Sequence, residues 1–189
     1  MSLQVKIIKA NNGLRLACFF RKKYTFSNHY ECSINVNGQI FTTTEQYFMY
    51  IKAKTFGDEK AAQDILNTSN PQQAKRIGRK VKNFDAKVWN AKRIGVMKFI
   101  NKTKFEQNAE LRKQLLDTGD YVIVEASPFD KFWGSGIGMS DKRIKDPTKW
   151  GANMLGQVLM EIRKEFRAQM DQTTSSSEQN GVTDEPPDK

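Results

Sequence analysis

The sequence predicts an α+β fold, a helix-rich single domain carrying a small β-sheet. Three observations carry this expectation. Short alternating apolar segments occupy the N-terminal region, capped helical segments follow one another from Thr42 to Leu116, and one continuous apolar run, Tyr121-Val122-Ile123-Val124, comes late in the chain. Taken in order, Gln4 to Lys9 and Leu16 to Phe20 read as strands. Asn37-Gly38 is a strong hairpin signal because a two-residue turn needs positive φ, so Ile34 and Val36 are expected to face Ile40 across it. A helix then opens at Thr42-Thr43-Thr44-Glu45 and runs through Lys54, with Thr42 and Glu45 at capping-box spacing and Gly57 as its stop. Asp58 caps a second helix, and Asn70-Pro71 starts a third that ends near Gly78. A further helix follows Asp85, and Leu111, Leu115 and Leu116 mark another. The turn Asp117-Thr118-Gly119-Asp120 leads into the apolar run, which reads as a buried strand. Ser127 to Trp150 is rich in Gly, Pro, Asp and aromatics, the composition of a long structured loop, and such loops in compact domains are usually functional. The last helix puts Leu155, Val158, Leu159, Ile162 and Phe166 on one face.

A chain of 189 residues can bury a core without metal or disulfide staples. We expect a domain over residues 1–169 and a disordered acidic tail over 170–189, where Ser, Thr, Asp, Glu and Pro leave too little apolar surface to order the chain. The net charge is +10, but from Asp171 onward five acids face only Lys189, which leaves that stretch at −4 and the rest at +14. Such a body attracts anions, whether nucleic acid, an acidic membrane face or phosphorylated metabolites. No run of 18 apolar residues suits a membrane span, and Met1 to Ala10 lacks the apolar stretch of a secretion signal. Cys18 and Cys32 have no partners at metal-ligand spacing and fit reduced thiols. The expectation is a cytoplasmic protein with no membrane association and no metal or other cofactor.

Several residues are candidates for chemistry. Glu45 lies in the first turn of a helix beside Tyr47 and Phe48, where it serves either as the capping-box acid or as a reactive carboxylate. The segment from Val124 to Gly138 leaves the buried strand and enters a loop with glycines at 134, 136 and 138, where the backbone can approach a ligand closely. Its spacing is not that of a dinucleotide fingerprint. Asp130 and Trp133 in this loop could hold a ribose under a stacked base, or could cap backbone amides and fill the core. Lys75 and Arg79 fall at i and i+4 on one helix face, which suits a phosphate or a solvated basic face. His29 has no Cys or Asp partner in a triad-like or metal-like arrangement.

Beyond single residues, the chain presents an ordered series of blocks. These are Phe26-Ser27-Asn28-His29-Tyr30, Thr44-Glu45-Gln46-Tyr47-Phe48, Lys52-Ala53, Phe56-Gly57-Asp58, Pro71, Ala74-Lys75 and Gly78-Arg79. Trp89, Lys104-Phe105, Gln107-Asn108, Leu115-Leu116, Thr118-Gly119, Glu125-Ala126-Ser127-Pro128, Asp130, Trp133-Gly134-Ser135-Gly136, Asn153 and Leu155-Gly156 follow. In number, order and spacing this set resembles the YbiA-like N-glycosidase family, also called NADAR, over about residues 19 to 168. His29 stands where the family usually has an aromatic.

The resemblance implies a YbiA-like fold and hydrolysis of the N-glycosidic bond of a phosphorylated ribosyl compound, such as the early aminopyrimidine intermediates of riboflavin biosynthesis. It leaves two alternatives open. One is an ADP-ribosyl hydrolase acting on guanine in ADP-ribosylated nucleic acid, with nucleic acid as the carrier of the substrate. The other is a module that binds ADP-ribose or an NAD-related nucleotide without turnover. Departure of nitrogen from C1′ of ribose builds positive charge on the ring, so a carboxylate must face it and a second group must protonate the leaving nitrogen. On this basis Glu45 and Asp130 are assigned as the catalytic pair. Arg21 and Asn28 would contact ribose or phosphate, and Lys75 and Arg79 the phosphate. Trp89 and Trp133 would stack on or wall in the base, with Gly134 and Gly136 lending backbone to the substrate.

Overall fold

A computed structural model gives the architecture and describes residues 4–179. Strand β1 (Lys6–Lys9) runs antiparallel to β2 (Arg15–Phe19), and the three strands β3 (Ile34–Val36), β4 (Gln39–Phe41) and β5 (Val122–Glu125) follow in the chain. Two sheets result, one in the order β1-β2-β5 and the other a β3-β4 hairpin. The pairing of β2 with β5 is parallel, with Leu16 beside Val122 and Phe19 beside Glu125. Parallel neighbours cannot be joined by a tight turn. Between them lie the hairpin and the helices α1 (Thr44–Thr55), α2 (Glu59–Leu66), α3 (Pro71–Gly78), α4 (Ala86–Gln107) and α5 (Ala109–Asp117). Helix α6 (Met154–Gln179) returns after β5 and packs on that strand and on α4.

The strands β2 and β5 are buried on both faces, which is why they read as apolar runs. Ala17, Phe19 and Ile123 join the core beneath the helices with Phe26, Phe48, Phe105 and Leu159. Leu16, Cys18 and Val124 turn the other way and meet Ile8, Ile137 and Ile144. Burying a side chain such as Phe19 completely contributes about 1.5–3 kcal/mol.

Most helix boundaries follow the capping logic. Asp58 accepts from the Ala61 amide, Asn70 from the amides of Gln72 and Gln73 ahead of Pro71, and Asp85 from those of Lys87 and Val88. Two expectations need correction. In the hairpin Ile40 pairs with Asn35, whereas Ile34 pairs with Phe41 and Val36 with Gln39. Ile40 therefore points to the opposite face and is 48% exposed, because one step of register exchanges the faces of a strand.

The second correction concerns α1. Its N-cap is Thr43, whose hydroxyl accepts from the Gln46 amide at 3.1 Å, and the Gln46 side chain accepts from the Thr42 amide at 2.8 Å. The box is one residue out of the expected register, and Gln46, not Glu45, closes it.

The expected boundary at residue 169 falls inside α6, which continues to Gln179, while residues 180–189 of the expected tail lie outside the described residues. Among the described residues no helix is long and apolar enough to cross a membrane.

Candidate active site

Because β2 and β5 are parallel, both strands end at the same edge of the sheet, and the chain leaving each one enters the same recess. Phe20 and Arg21 follow β2, while Glu125 ends β5 and Ser127, Phe129, Asp130 and Trp133 belong to the loop after it. The recess has a volume of about 290 Å³, and Asn28, His29, Glu45, Lys75 and Arg79 also line it.

The first turn of α1 forms one wall. Thr44, Glu45, Gln46, Tyr47, Phe48 and Met49 are all buried, since α1 is surrounded by α2, α3 and α4. Asn28 locks this turn to the preceding loop. Its carbonyl accepts from the Glu45 amide at 3.0 Å, and its side-chain oxygen accepts from the Thr44 hydroxyl at 2.9 Å and from Asn101 at 3.2 Å. Beneath that loop Lys104 is completely buried and donates to the carbonyls of Thr25 at 2.6 Å and Ser27 at 3.1 Å. Burial pulls its ammonium down to about 8, and the two carbonyl acceptors favour the charged form.

Glu45 is 5% exposed, and its Oε1 meets no hydrogen-bond partner among the described residues. Burial raises its pKa, Lys75 and Arg79 pull it down, and Asp130 adds to the rise. Its Oε2 lies 3.8 Å from Nε2 of His29, a carboxylate neighbour for the histidine that the sequence did not reveal. Burial, reinforced by Lys75, lowers the pKa of His29 to about 4, so its ring is neutral at neutral pH and the contact is not an ion pair.

The loop after β5 forms the opposite wall. One oxygen of Asp130 accepts from the amides of Phe132 at 2.9 Å and Trp133 at 2.7 Å, so the capping role weighed for this residue is real, although it also lines the recess. Backbone bonds then stitch the loop to β5 and to the start of α6. The amide of Ser135 donates to the Glu125 carbonyl at 2.8 Å, and that of Asn153 to the Gly134 carbonyl at 3.1 Å.

Gly134 and Gly136 serve this closure and do not line the recess, contrary to their assignment as substrate contacts. A Cβ on Gly134 would lie 2.8 Å from the Glu125 carbonyl, and Gly136 adopts φ +68 with the Lys131 side chain against it. Trp89 also departs from its assignment. It is 6% exposed and packs on Phe48 at 5.0 Å in the core, one layer behind Trp133, which stands edge-on to the same Phe48 at 5.6 Å and does line the recess.

Arg21, Asn28, Lys75, Arg79 and Trp133 all line the recess. Arg21 does so from a left-handed backbone conformation, φ 71, which costs a side chain other than glycine roughly 1–2 kcal/mol. The sequence missed Glu125. The residue is partly buried, but its Oε2 is shut off from solvent and has no partner among the described residues. Burial pushes its pKa up to about 7, with help from Asp130 and Glu45 and against Lys75. An acid closing an otherwise apolar strand was the available signal. Phe20 and Phe129 were missed as well. They stand, with Arg21 and His29, between the recess and a wider hollow of about 710 Å³. A separate groove of about 580 Å³ between α5 and α6 is lined by Ala109, Arg112, Lys113, Leu116, Phe166, Gln169 and Met170, without a carboxylate.

Comparison with known proteins agrees with this arrangement of strands and helices. Residues 18–167 match the NADAR domain. The chain is 41% identical over 134 residues to N-glycosidase R617 of Acanthamoeba polyphaga mimivirus, covering 69% of this chain and 79% of the relative. It is 37% identical over 141 residues to N-glycosidase YbiA of Escherichia coli (strain K12), covering 75% and 80%. Riboflavin biosynthesis protein VVA0006 of Vibrio vulnificus (strain YJ016) is 36% identical over 141 residues, which cover 75% of this chain and 35% of that protein. The NMR structure of E. coli YbiA is similar with a TM-score of 0.67 at 32% identity, over 89% of this chain and 91% of that one. With a match that spans most of its length and relatives of this similarity, the chain belongs to the NADAR domain family.

Proposed function

We propose that this protein is an N-glycosidase that hydrolyses the bond between C1′ of a phosphorylated ribose and a nitrogen base, in the cytoplasm and without a cofactor. The observation that carries this is the joint presence of Glu45, Glu125 and Asp130 with Lys75, Arg79 and Arg21 in one recess of about 290 Å³. Breaking an N-glycosidic bond needs negative charge against the ring and a proton for the leaving nitrogen, while the cations suit the phosphate. Glu45 is the carboxylate that faces the developing cation. Asp130 adds negative charge from a loop that its own hydrogen bonds hold in place. Trp133, Phe20 and Phe129 offer aromatic faces for the base.

Among phosphorylated ribosyl compounds, the ribosylaminopyrimidine phosphates of riboflavin synthesis are the preferred substrates, a choice supported by the name of the Vibrio relative. A second reading, removal of ADP-ribose from guanine in nucleic acid, is favoured by the hollow of about 710 Å³ beside the recess and by the net charge of +10. Incubation with a ribosylaminopyrimidine phosphate, NAD and ADP-ribosylated DNA, with assay for free ribose phosphate or ADP-ribose, tests both. Release of ribose phosphate from the small substrate is the expected result. An affinity for DNA that falls by orders of magnitude between about 50 and 200 mM salt, with turnover only on DNA, would favour the second reading. Saturable ADP-ribose binding with no turnover on any of them would reduce the protein to a binding module.

A further inference from the structure

Glu125 has no structural task that explains its carboxyl group. Its backbone is fully used, with the amide donating to Asn153 at 3.0 Å and the carbonyl accepting from Ser135 at 2.8 Å, but its Oε2 is enclosed without a partner among the described residues and the side chain lines the recess. A buried acid left unpaired costs stability, so its presence at the end of a strand calls for another reason.

The three acids of the recess differ in what surrounds them. Asp130 has one oxygen committed to the backbone amides of Phe132 and Trp133, which ties it to its own loop. Glu45 feels two cations, Lys75 and Arg79, against the single anion Asp130. Glu125 feels two anions, Asp130 and Glu45, against the single cation Lys75. Burial raises both glutamates, and the charge of Glu45 adds to the rise at Glu125. The neighbouring charges therefore favour the anion more at Glu45 than at Glu125.

We propose that Glu125 is the proton donor to the departing nitrogen, acting with an ionised Glu45 that meets the developing cation and accepts the proton of the attacking water. This assignment rests on the N-glycosidase function proposed above. The C1′–N bond breaks with its electron pair passing to nitrogen, and that nitrogen takes the proton of Glu125. The water oxygen bonds to C1′ and its surplus proton goes to Glu45. The products are the free base, bearing N–H, and ribose phosphate with a hydroxyl at C1′. Transfer of one proton from Glu45 back to Glu125 restores the starting state, so the cycle consumes only water. Glu125 is poised for this work, since a carboxyl group near 7 is both protonated and willing to release its proton at neutral pH.

The test is Glu125→Gln, which keeps size and backbone and removes the transferable proton. With a ribosylaminopyrimidine phosphate, kcat should fall about a hundredfold or more, and the fall in kcat/KM above about pH 7 expected of the parent should vanish. Nicotinamide mononucleotide is the companion probe, because its base is already cationic and departs neutral without a proton. If the parent cleaves it, the variant should lose far less there than on the aminopyrimidine. A purely structural residue would instead lower turnover at all pH values alike, and that result, or near-parental kcat in the variant, overturns the donor role while leaving the N-glycosidase function intact. If the parent releases no ribose phosphate from the aminopyrimidine substrate, the functional proposal fails first and the donor role falls with it. A variant with a lowered melting temperature is compared with Glu125→Asp, which restores an acid. Recovery of the alkaline fall in that variant supports proton donation, and its absence refutes it.

Discussion

Glu125→Gln also makes a prediction about stability that needs no substrate. Burial and the neighbouring anions hold the Glu125 carboxyl at about 7 in the folded chain, against an ordinary value of 4.5. Below 4.5 both states are protonated and the residue costs nothing. As pH rises the unfolded chain ionises first, so stability falls between about 4.5 and about 7, after which the loss is complete. The gap between the two values corresponds to about 3 kcal/mol at most. For a chain of this size that is about 6–12 °C in melting temperature. Gln carries no such dependence, although its amide brings a pH-independent cost of its own for being buried without a partner. Melting of parent and variant by differential scanning fluorimetry from about pH 4 to about pH 8 should show the variant gaining on the parent steadily, by several degrees in all. A difference in melting temperature that stays constant across this range would mean that Glu125 ionises normally in the folded chain, and the electrostatic account of the recess would be wrong.

Other substitutions separate chemistry from architecture. Glu45→Gln should lower kcat about a hundredfold or more with an unchanged or higher melting temperature, since Gln46 and not Glu45 closes the capping box; turnover close to that of the parent in a steady-state assay would remove Glu45 from the mechanism. Trp89→Ala should cost about 3–5 kcal/mol in denaturant unfolding, whereas Trp133→Ala should raise KM with a smaller loss of stability, because only Trp133 lines the recess. The opposite pattern would return Trp89 to the substrate. Arg21→Gly relieves a left-handed backbone and should leave the melting temperature unchanged or higher while raising KM for a phosphorylated substrate. A KM equal to that of the parent would show that Arg21 does not hold the phosphate.

Much of the fold was legible in the chain. The caps at Asp58, Asn70 and Asp85 fixed three helix starts because a short polar side chain satisfies free amides wherever a helix begins, a requirement local to a few residues. The hairpin at Asn37-Gly38 and the helix-rich α+β class were legible for the same reason. The threonine run before Glu45 was not, since Thr42 and Thr43 both make good caps and only packing chose the second. That choice of one residue released Glu45 from the helix end into the recess.

What the sequence by itself determined was the set of side chains with suitable chemistry, among them Glu45, Asp130, Lys75, Arg79, Asn28 and Arg21. It did not distinguish Trp133 from Trp89, because depth in a core is a property of the neighbours, and Phe48 lies between the two rings. Nor did it reveal Glu125, since an acid at the end of an apolar strand looks like a solvated terminus until its surroundings are known. The parallel pairing of β2 with β5 decides the matter. It brings the ends of two strands separated by about a hundred residues to one edge of the sheet, where Glu125 and Arg21 meet the buried first turn of α1. Long-range pairing of this kind is set by the burial of whole strands and leaves no mark in the local pattern that reports it.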